Sequence, residues 1–305
     1  MDIIDERRVK IQSLSRTWYG DTAGCIDMLR LDLLHPVISG NKWYKLRLNM
    51  LHAQEQGIGT IVTFGGGFSN HLAAAAYAAK VAGLRAIGII RGKYDKLTPT
   101  LEECARDGME LIFTTQADYA RKDEPGWLQE IAAHFDEVFI IPEGGANEWG
   151  RKGAELICRF ISNEYSHIIV SVGSGTTMAG IRNKADVGQK IIGMVPMKDG
   201  VYLHDHIRRH LHPGRDTNWA LMDNWHFGGF ARVNEELIAF MNDFYKENNI
   251  PLDMVYTAKM MYGVRDLLKK QYFNFEDRIL CIHSGGLQGN STIQQRLLQP
   301  VPGKV

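Results

Sequence analysis

The sequence carries no excess of either charge. Across 305 residues, 35 Lys and Arg balance 35 Asp and Glu, for a formal net charge of zero. A nucleic-acid binder needs surplus cations to displace counterions, and a membrane-surface protein needs them to meet anionic lipid, so neither partner is expected. No stretch reaches the roughly 18 apolar residues of a membrane span. The N-terminal MDIIDERRVK mixes both charge signs where a signal peptide would place a basic start and an apolar run. Cysteine is scarce: Cys25, Cys104, Cys158 and Cys281 stand far apart without a CxxC pair, for which a reduced compartment is the default. These absences together read as a cytoplasmic protein. No Pro-, Gly- or Ser-rich linker and no internal repeat is present, so any domain boundary must lie in ordinary loops.

What is present is an ordinary globular composition, 45% hydrophobic and 23% charged, of a length that suits one large domain or two. Short β-branched runs alternate with helical patterns. Residues 61–64, 86–90, 138–141, 168–172, 191–195 and 279–282 read as strands, and the Ala-rich stretch from Leu72 to Gly83 as a helix. Continuous apolar strands separated by helical lengths imply an α/β chain with parallel sheets covered on both faces. Residues 46–146 contain their own alternation, and read as a smaller domain inserted into a larger one made of residues 1–45 and 147–305.

Glycine is the one surplus, with 31 residues, and three glycine-rich junctions each follow a strand. Ligands of open α/β sheets bind beyond the C-terminal ends of strands. The first junction, Gly65-Gly66-Gly67-Phe68-Ser69-Asn70-His71, leads into the Ala-rich helix; its free amides and hydroxyl suit a carboxylate, or simply cap the helix. The second, Gly173-Ser174-Gly175-Thr176-Thr177-Met178-Ala179-Gly180, offers amides and three hydroxyls to a phosphate. It lacks the GK[ST] ending of a Walker loop, and a dinucleotide reading supported by Asp199 downstream fits its hydroxyls less well. The third, His283-Ser284-Gly285-Gly286, is a tight turn that would let a hydroxyl meet a ring nitrogen. Finally, Gly40-Asn41-Lys42-Trp43-Tyr44-Lys45 opens an amphipathic helix with Gly57 as its stop. Lys42 and Lys45 share a face, either as a solvated stripe or as a pair in which one ammonium frees the other amine for attack on a carbonyl.

These blocks, with Asp253-Met254-Val255-Tyr256-Thr257 and Lys259, resemble in order and across nearly the whole chain the 1-aminocyclopropane-1-carboxylate (ACC) deaminase and D-cysteine desulfhydrase family. The resemblance implies a pyridoxal 5'-phosphate (PLP) enzyme of fold type II, like the tryptophan synthase β chain, with two three-layer α/β/α domains enclosing the cofactor, commonly as a homodimer acting on a small amino acid. It implies that Lys42 holds the cofactor's aldehyde carbon and moves the substrate Cα proton, with Lys45 as its charged neighbour. Ser69 would bind the substrate carboxylate, with Asn70 on the cofactor's phenolic oxygen and His71 also facing substrate. Ser174, Gly175, Thr176 and Thr177 would cradle the phosphate. Tyr256 would stack on the ring and act near substrate, and Thr257 and Ser284 would complete the ring's surroundings, Ser284 at the pyridine nitrogen.

Departures within the family pattern choose the reaction. ACC deaminases carry Glu after the stacking Tyr, Leu at the position of Ser284 and Gln at that of His71; here the first is Thr257 and the others keep the desulfhydrase residues. A hydroxyl cannot hold the pyridine nitrogen protonated as a carboxylate does, so the expected chemistry is α,β-elimination of a good leaving group, from D-cysteine or a β-substituted D-alanine, to pyruvate, ammonia and sulfide. The alternatives are ACC deamination and a catalytically weak PLP-binding protein, because Phe230 stands where relatives often carry a catalytic Tyr. Tyr44 replaces a common Arg, and Thr176 a frequent Gly. A hydrolase reading fails for want of the glycine that GxSxG places after the serine. His204, His206, His210 and His212 invite a metal reading, but i, i+2 spacing on a helix would not place the pair on one face; no metal is expected.

Overall fold

The computed structural model describes residues 4–200 and 202–300. Among them lie ten strands: β1 Ile11–Ser13, β2 Cys25–Arg30, β3 Thr60–Gly65, β4 Arg85–Arg91, β5 Met109–Thr114, β6 Phe139–Ile141, β7 His167–Ser171, β8 Lys190–Met194, β9 Trp219–Met222 and β10 Arg278–His283. The chain divides into two compact units, one holding Lys42–Gly153 and the other Glu6–Asn41 with the chain from Ala154 onward.

The first unit contains a parallel sheet in the order β5-β4-β3-β6. Its inner strands are mostly apolar, as expected of a parallel sheet covered on both faces, with the buried Thr63 an exception. Val62, Phe64, Ile87 and Ile89 pack with Tyr119 and Trp127. The helix Asn70–Ala82 buries Ala73 to Ala76, Ala78 and Ala79; side chains this small let its axis come close to its neighbours. Its ends are encoded locally. Ser69 Oγ accepts from Leu72 N–H, and Gly83 closes the helix in the left-handed region at φ +69°.

The second unit contains a sheet in the order β1-β2-β10-β7-β8-β9, parallel except for the antiparallel β1–β2 pair. Its core joins Ile169, Ile192, Ile279 and Cys281 of the strands to Phe240, Phe244, Met260 and Val264 of helices Glu235–Asn248 and Thr257–Lys269. Because β2, β10 and β7 are consecutive neighbours, the loops leaving their C-terminal ends are neighbours as well. Those loops lead to Ser39-Gly40-Asn41, Ser284-Gly285-Gly286 and Gly173-Ser174-Gly175. No helix among the described residues is long and apolar enough to cross a membrane.

Candidate active site

In the first unit the lysine pair sits on the first turn of helix Asn41–Glu55. Lys42 is half-buried and Lys45 is 4% exposed. Burial, and next the Lys42 ammonium, hold the Lys45 pKa well below that of an ordinary lysine. Lys45 Nζ donates to the carbonyl of Gly144 at 2.9 Å. The tight placement of Gly144-Gly145 is built in: a Cβ at Gly145, where φ is +69°, would lie 3.2 Å from Lys45 Cβ.

His71 enters the same neighbourhood from helix Asn70–Ala82. The single proton of the Thr63 hydroxyl goes to Ile141 O at 2.8 Å, so Thr63 Oγ1 must accept from His71 Nε2–H, also at 2.8 Å. The ring is therefore the neutral Nε2–H tautomer. Burial first, then Lys42 and Lys45, push its pKa down to about 3. Its Nδ1 lone pair is buried without a hydrogen-bond partner, and so is Asn70 Oδ1. Two adjacent buried acceptors with unspent capacity are costly, at about 1–3 kcal/mol each, unless something else completes them. Ser69 is half-buried; its oxygen caps the helix, which leaves its proton available to an incoming carboxylate.

The second unit supplies the other expected groups. The loop after β7 turns at Gly175, φ +79°, into helix Thr176–Lys184. A Cβ at Gly175 would fall 2.6 Å from Ile207 Cγ1, so only glycine makes this turn. Ser174 Oγ and Thr176 Oγ1 lie 2.9 Å apart, and Thr177 Oγ1 accepts from Asn41 Nδ2 at 2.7 Å. Amides at a helix start, three hydroxyls and a glycine turn form a cradle for a phosphate. Beside it stands Tyr256, whose ring would be 3.3 Å from a Cβ at Gly173. The Ser284 carbonyl accepts from Asn41 N–H at 3.3 Å and lies 1.9 Å from where a Cβ of Gly40 would sit. Within this unit, then, Ser174 to Thr177 are brought together with Tyr256 across Gly173 and tied to the Ser284 turn through Asn41.

Thr257 lies at the start of the next helix. It is fully buried, its hydroxyl donates to Asp253 Oδ2 at 2.6 Å and accepts from Asp253 N–H at 2.8 Å, so its one proton is committed at the helix start. The residue that sequence reasoning left without a role is Asp253. Its carboxylate accepts from the N–H groups of Val255, Tyr256 and Thr257 as well as from Thr257 Oγ1, and so sets the position of Tyr256. An Asp just ahead of a helix is the available sequence signal. Thr63 was also missed; a polar residue inside the run Ile61-Val62-Thr63-Phe64 was its signal. Asn41 gave none.

Phe230 packs edge-on against Tyr256 with centroids 5.8 Å apart and is 52% exposed. Its loop is held by Lys259, which donates to the carbonyls of Pro196, His226 and Gly229. His204 stacks on Trp219 at 4.6 Å and His206 meets His210 edge-on, with no metal-ligating cluster among the described residues.

Each unit by itself offers groups of the kind PLP needs: in the first, an amine at Lys42 beside the low-pKa Lys45 and unspent acceptors at Asn70 and His71; in the second, hydroxyls and amides for a phosphate, an aromatic ring at Tyr256 and a hydroxyl at Ser284. The comparisons with known proteins agree. The family model described as "Pyridoxal-phosphate dependent enzyme" matches residues 21–285. Two curated relatives, from Thermotoga maritima and Pyrococcus horikoshii, both named "Putative 1-aminocyclopropane-1-carboxylate deaminase", are 28% and 27% identical. Each alignment covers 88% of this chain, and they cover 91% and 86% of the relatives. The crystal structure of an ACC deaminase homologue superposes with a TM-score of 0.82 at 25% identity, covering 95% of this chain and 93% of that one. A threonine deaminase isoform from Solanum lycopersicum, 16% identical with a TM-score of 0.68 over 97% of this chain and 83% of its own, shares the fold. The chain belongs to the pyridoxal-phosphate-dependent enzyme family, with the tryptophan synthase β-like fold.

Proposed function

We propose that the protein eliminates a leaving group from Cβ of a small amino acid, with D-cysteine or a β-substituted D-alanine as substrate, and works as a cytoplasmic homodimer. The observation that carries this reading is the set of groups available to the pyridine nitrogen. The turn after β10 offers the Ser284 hydroxyl, and the position after Tyr256 holds a Thr whose hydroxyl is committed to Asp253. Opening a cyclopropane demands a strong electron sink, which a ring-nitrogen carboxylate would support; expelling a thiol demands less.

The cofactor, when bound, supplies the electron sink that stabilises negative charge at Cα. The chain's own residues do the rest. Lys42 would take the Cα proton on its amine. Ser69 would donate to the substrate carboxylate at the start of helix Asn70–Ala82, where the helix dipole also favours an anion. His71, neutral at any physiological pH, would accept a hydrogen bond at Nδ1 without adding charge. Ser174 to Thr177 would hold the phosphate, and Asn70 the phenolic oxygen. The small unit would thus be the substrate-carboxylate domain and the other the cofactor domain. In atoms, the Cα–H and Cβ–S bonds break, the sulfur leaves with its electron pair, and water takes the nitrogen's place on Cα to give pyruvate and ammonia.

The test is product analysis on D-cysteine, L-cysteine, D-serine and ACC. The reading expects pyruvate and sulfide from D-cysteine, with Lys42→Ala lowering the rate by at least about 10²–10⁴-fold. 2-Oxobutyrate from ACC as the main product would replace the reading with ring opening. Cofactor binding without turnover of any of them would favour the weakly catalytic alternative that Phe230 raises.

A further inference from the structure

The first unit holds a concavity of about 730 Å³ that the lysine pair does not line. It lies beyond the C-terminal ends of β4, β5 and β6 and is lined chiefly by Arg91, Lys93, Tyr94, Tyr119, Lys122 and Glu143. Three cations face one carboxylate. Lys122 already has company, with Asp123 at 3.0 Å and Glu143 at 3.8 Å. Arg91 is exposed, its guanidinium 5.9 Å over the Tyr119 ring, and it makes no side-chain hydrogen bond or ion pair among the described residues. A guanidinium of this kind is a ready fork for a carboxylate or phosphate.

The hollow's wall is mechanically tied to the glycine loop that carries Ser69. A Cβ at Gly66 would lie 3.4 Å from Arg91 Nη2. Gly67 N–H donates to Tyr94 Oη at 2.8 Å, Tyr94 Oη donates to Arg91 O at 3.2 Å, and the Thr98 hydroxyl donates to Gly67 O. Both sides of the Gly67 peptide are therefore held by residues 94–98. On the opposite wall, Glu143 immediately precedes Gly144, whose carbonyl anchors Lys45.

We propose that this hollow binds a small oxyanion, a carboxylate or a phosphate ester, between Arg91, Lys93 and Lys122, and that its occupancy tunes the loop from Gly65 to Ser69. The binding claim stands on the hollow itself; the tuning claim rests on the reading of Ser69 as the substrate-carboxylate residue. Isothermal titration of the holoenzyme with inorganic phosphate and with malonate, each against NaCl of equal ionic strength, tests the site. Saturable binding of at least one is expected, weakened roughly tenfold by Arg91→Ala and to a lesser extent by Arg91→Lys, which keeps the charge but loses the fork. Preference for phosphate assigns a phosphorylated ligand, and preference for malonate a dicarboxylate. If Arg91→Ala fails to fold, the double variant Lys93→Ala and Lys122→Gln takes its place, with the same loss expected. No heat beyond the NaCl control, or undiminished binding by the variants, overturns the site. For the tuning, saturating anion is expected to shift KM for D-cysteine more than kcat, and binding with KM unmoved overturns it. Should D-cysteine prove not to be turned over, the elimination reading fails on that result, while the titration still decides the site.

Discussion

At His71, burial and two neighbouring ammonium groups act in the same direction. The folded pKa is about 3, whereas the unfolded imidazole titrates near 6.5. As pH falls from 6.5 towards 3, the unfolded chain takes up a proton that the folded chain refuses. The stability present above pH 6.5 is thus lost progressively through that window, at about 1.4 kcal/mol per unit. Urea midpoints between pH 7 and pH 4.5 should fall more steeply for the wild type than for His71→Gln; parallel slopes would show that the ring charges freely. Asp253 makes a second residue-scale prediction. It is 1% exposed and satisfies three backbone donors and a hydroxyl, so Asp253→Ala should cost about 2–4 kcal/mol in a denaturant titration. It should also weaken cofactor retention by freeing Tyr256; unchanged stability and retention would remove its positioning role. Residue types with their own chemistry, such as Lys42, Ser69 and the Ser174 to Thr177 run, stand out in the sequence as candidates. The Asp253 partner of Thr257 was not legible, because such a bond depends on a side chain four residues away and on the turn between them.

Elements were legible where their surroundings are uniform. The buried parallel strands β3, β4, β7, β8 and β10 are built on apolar runs, broken in β3 by Thr63, and the run at 138–141, less its first residue, corresponds to β6. The strands missed are those whose sequences mix polarity. In β2, Asp27 is buried because the Tyr165 hydroxyl donates to it at 2.7 Å, and Arg30 because Asp32 meets it with two bonds of 2.8 and 2.6 Å. In β5 and β9, both sheet edges, the side chains are mostly only partly buried. The start of helix Asn41–Glu55 shows an element fixed by a single residue. Gly40 has φ +66° and no room for a Cβ beside Ser284 O, so Gly40→Ala should lower stability by roughly 2–5 kcal/mol. A melting temperature within a degree or so of wild type would contradict that account.

At the scale of the whole molecule, the alternation of strands and helices announced parallel sheets, but the strand order did not follow from it. The order β2-β10-β7 joins segments more than a hundred residues apart, and no local pattern encodes such pairings. That order matters for function because it makes neighbours of the Gly40, Ser284 and Gly175 turns. Cofactor binding should therefore stabilise the folded chain as a whole, since a ligand held only by the native state shifts the equilibrium by mass action. Removing PLP with hydroxylamine should lower the melting temperature, and adding it back should restore it; an unchanged melting temperature would argue against those turns forming its site. Light scattering should give twice the 34.4 kDa chain mass for the proposed dimer.

Borohydride reduction of the purified holoenzyme, followed by peptide mapping, tests most directly whether the amine on the first turn of helix Asn41–Glu55 carries the cofactor. A pyridoxyl group on Lys42, with loss of the visible absorption band, is the predicted result. The same group on Lys45, on Lys259 or on no lysine at all would contradict it.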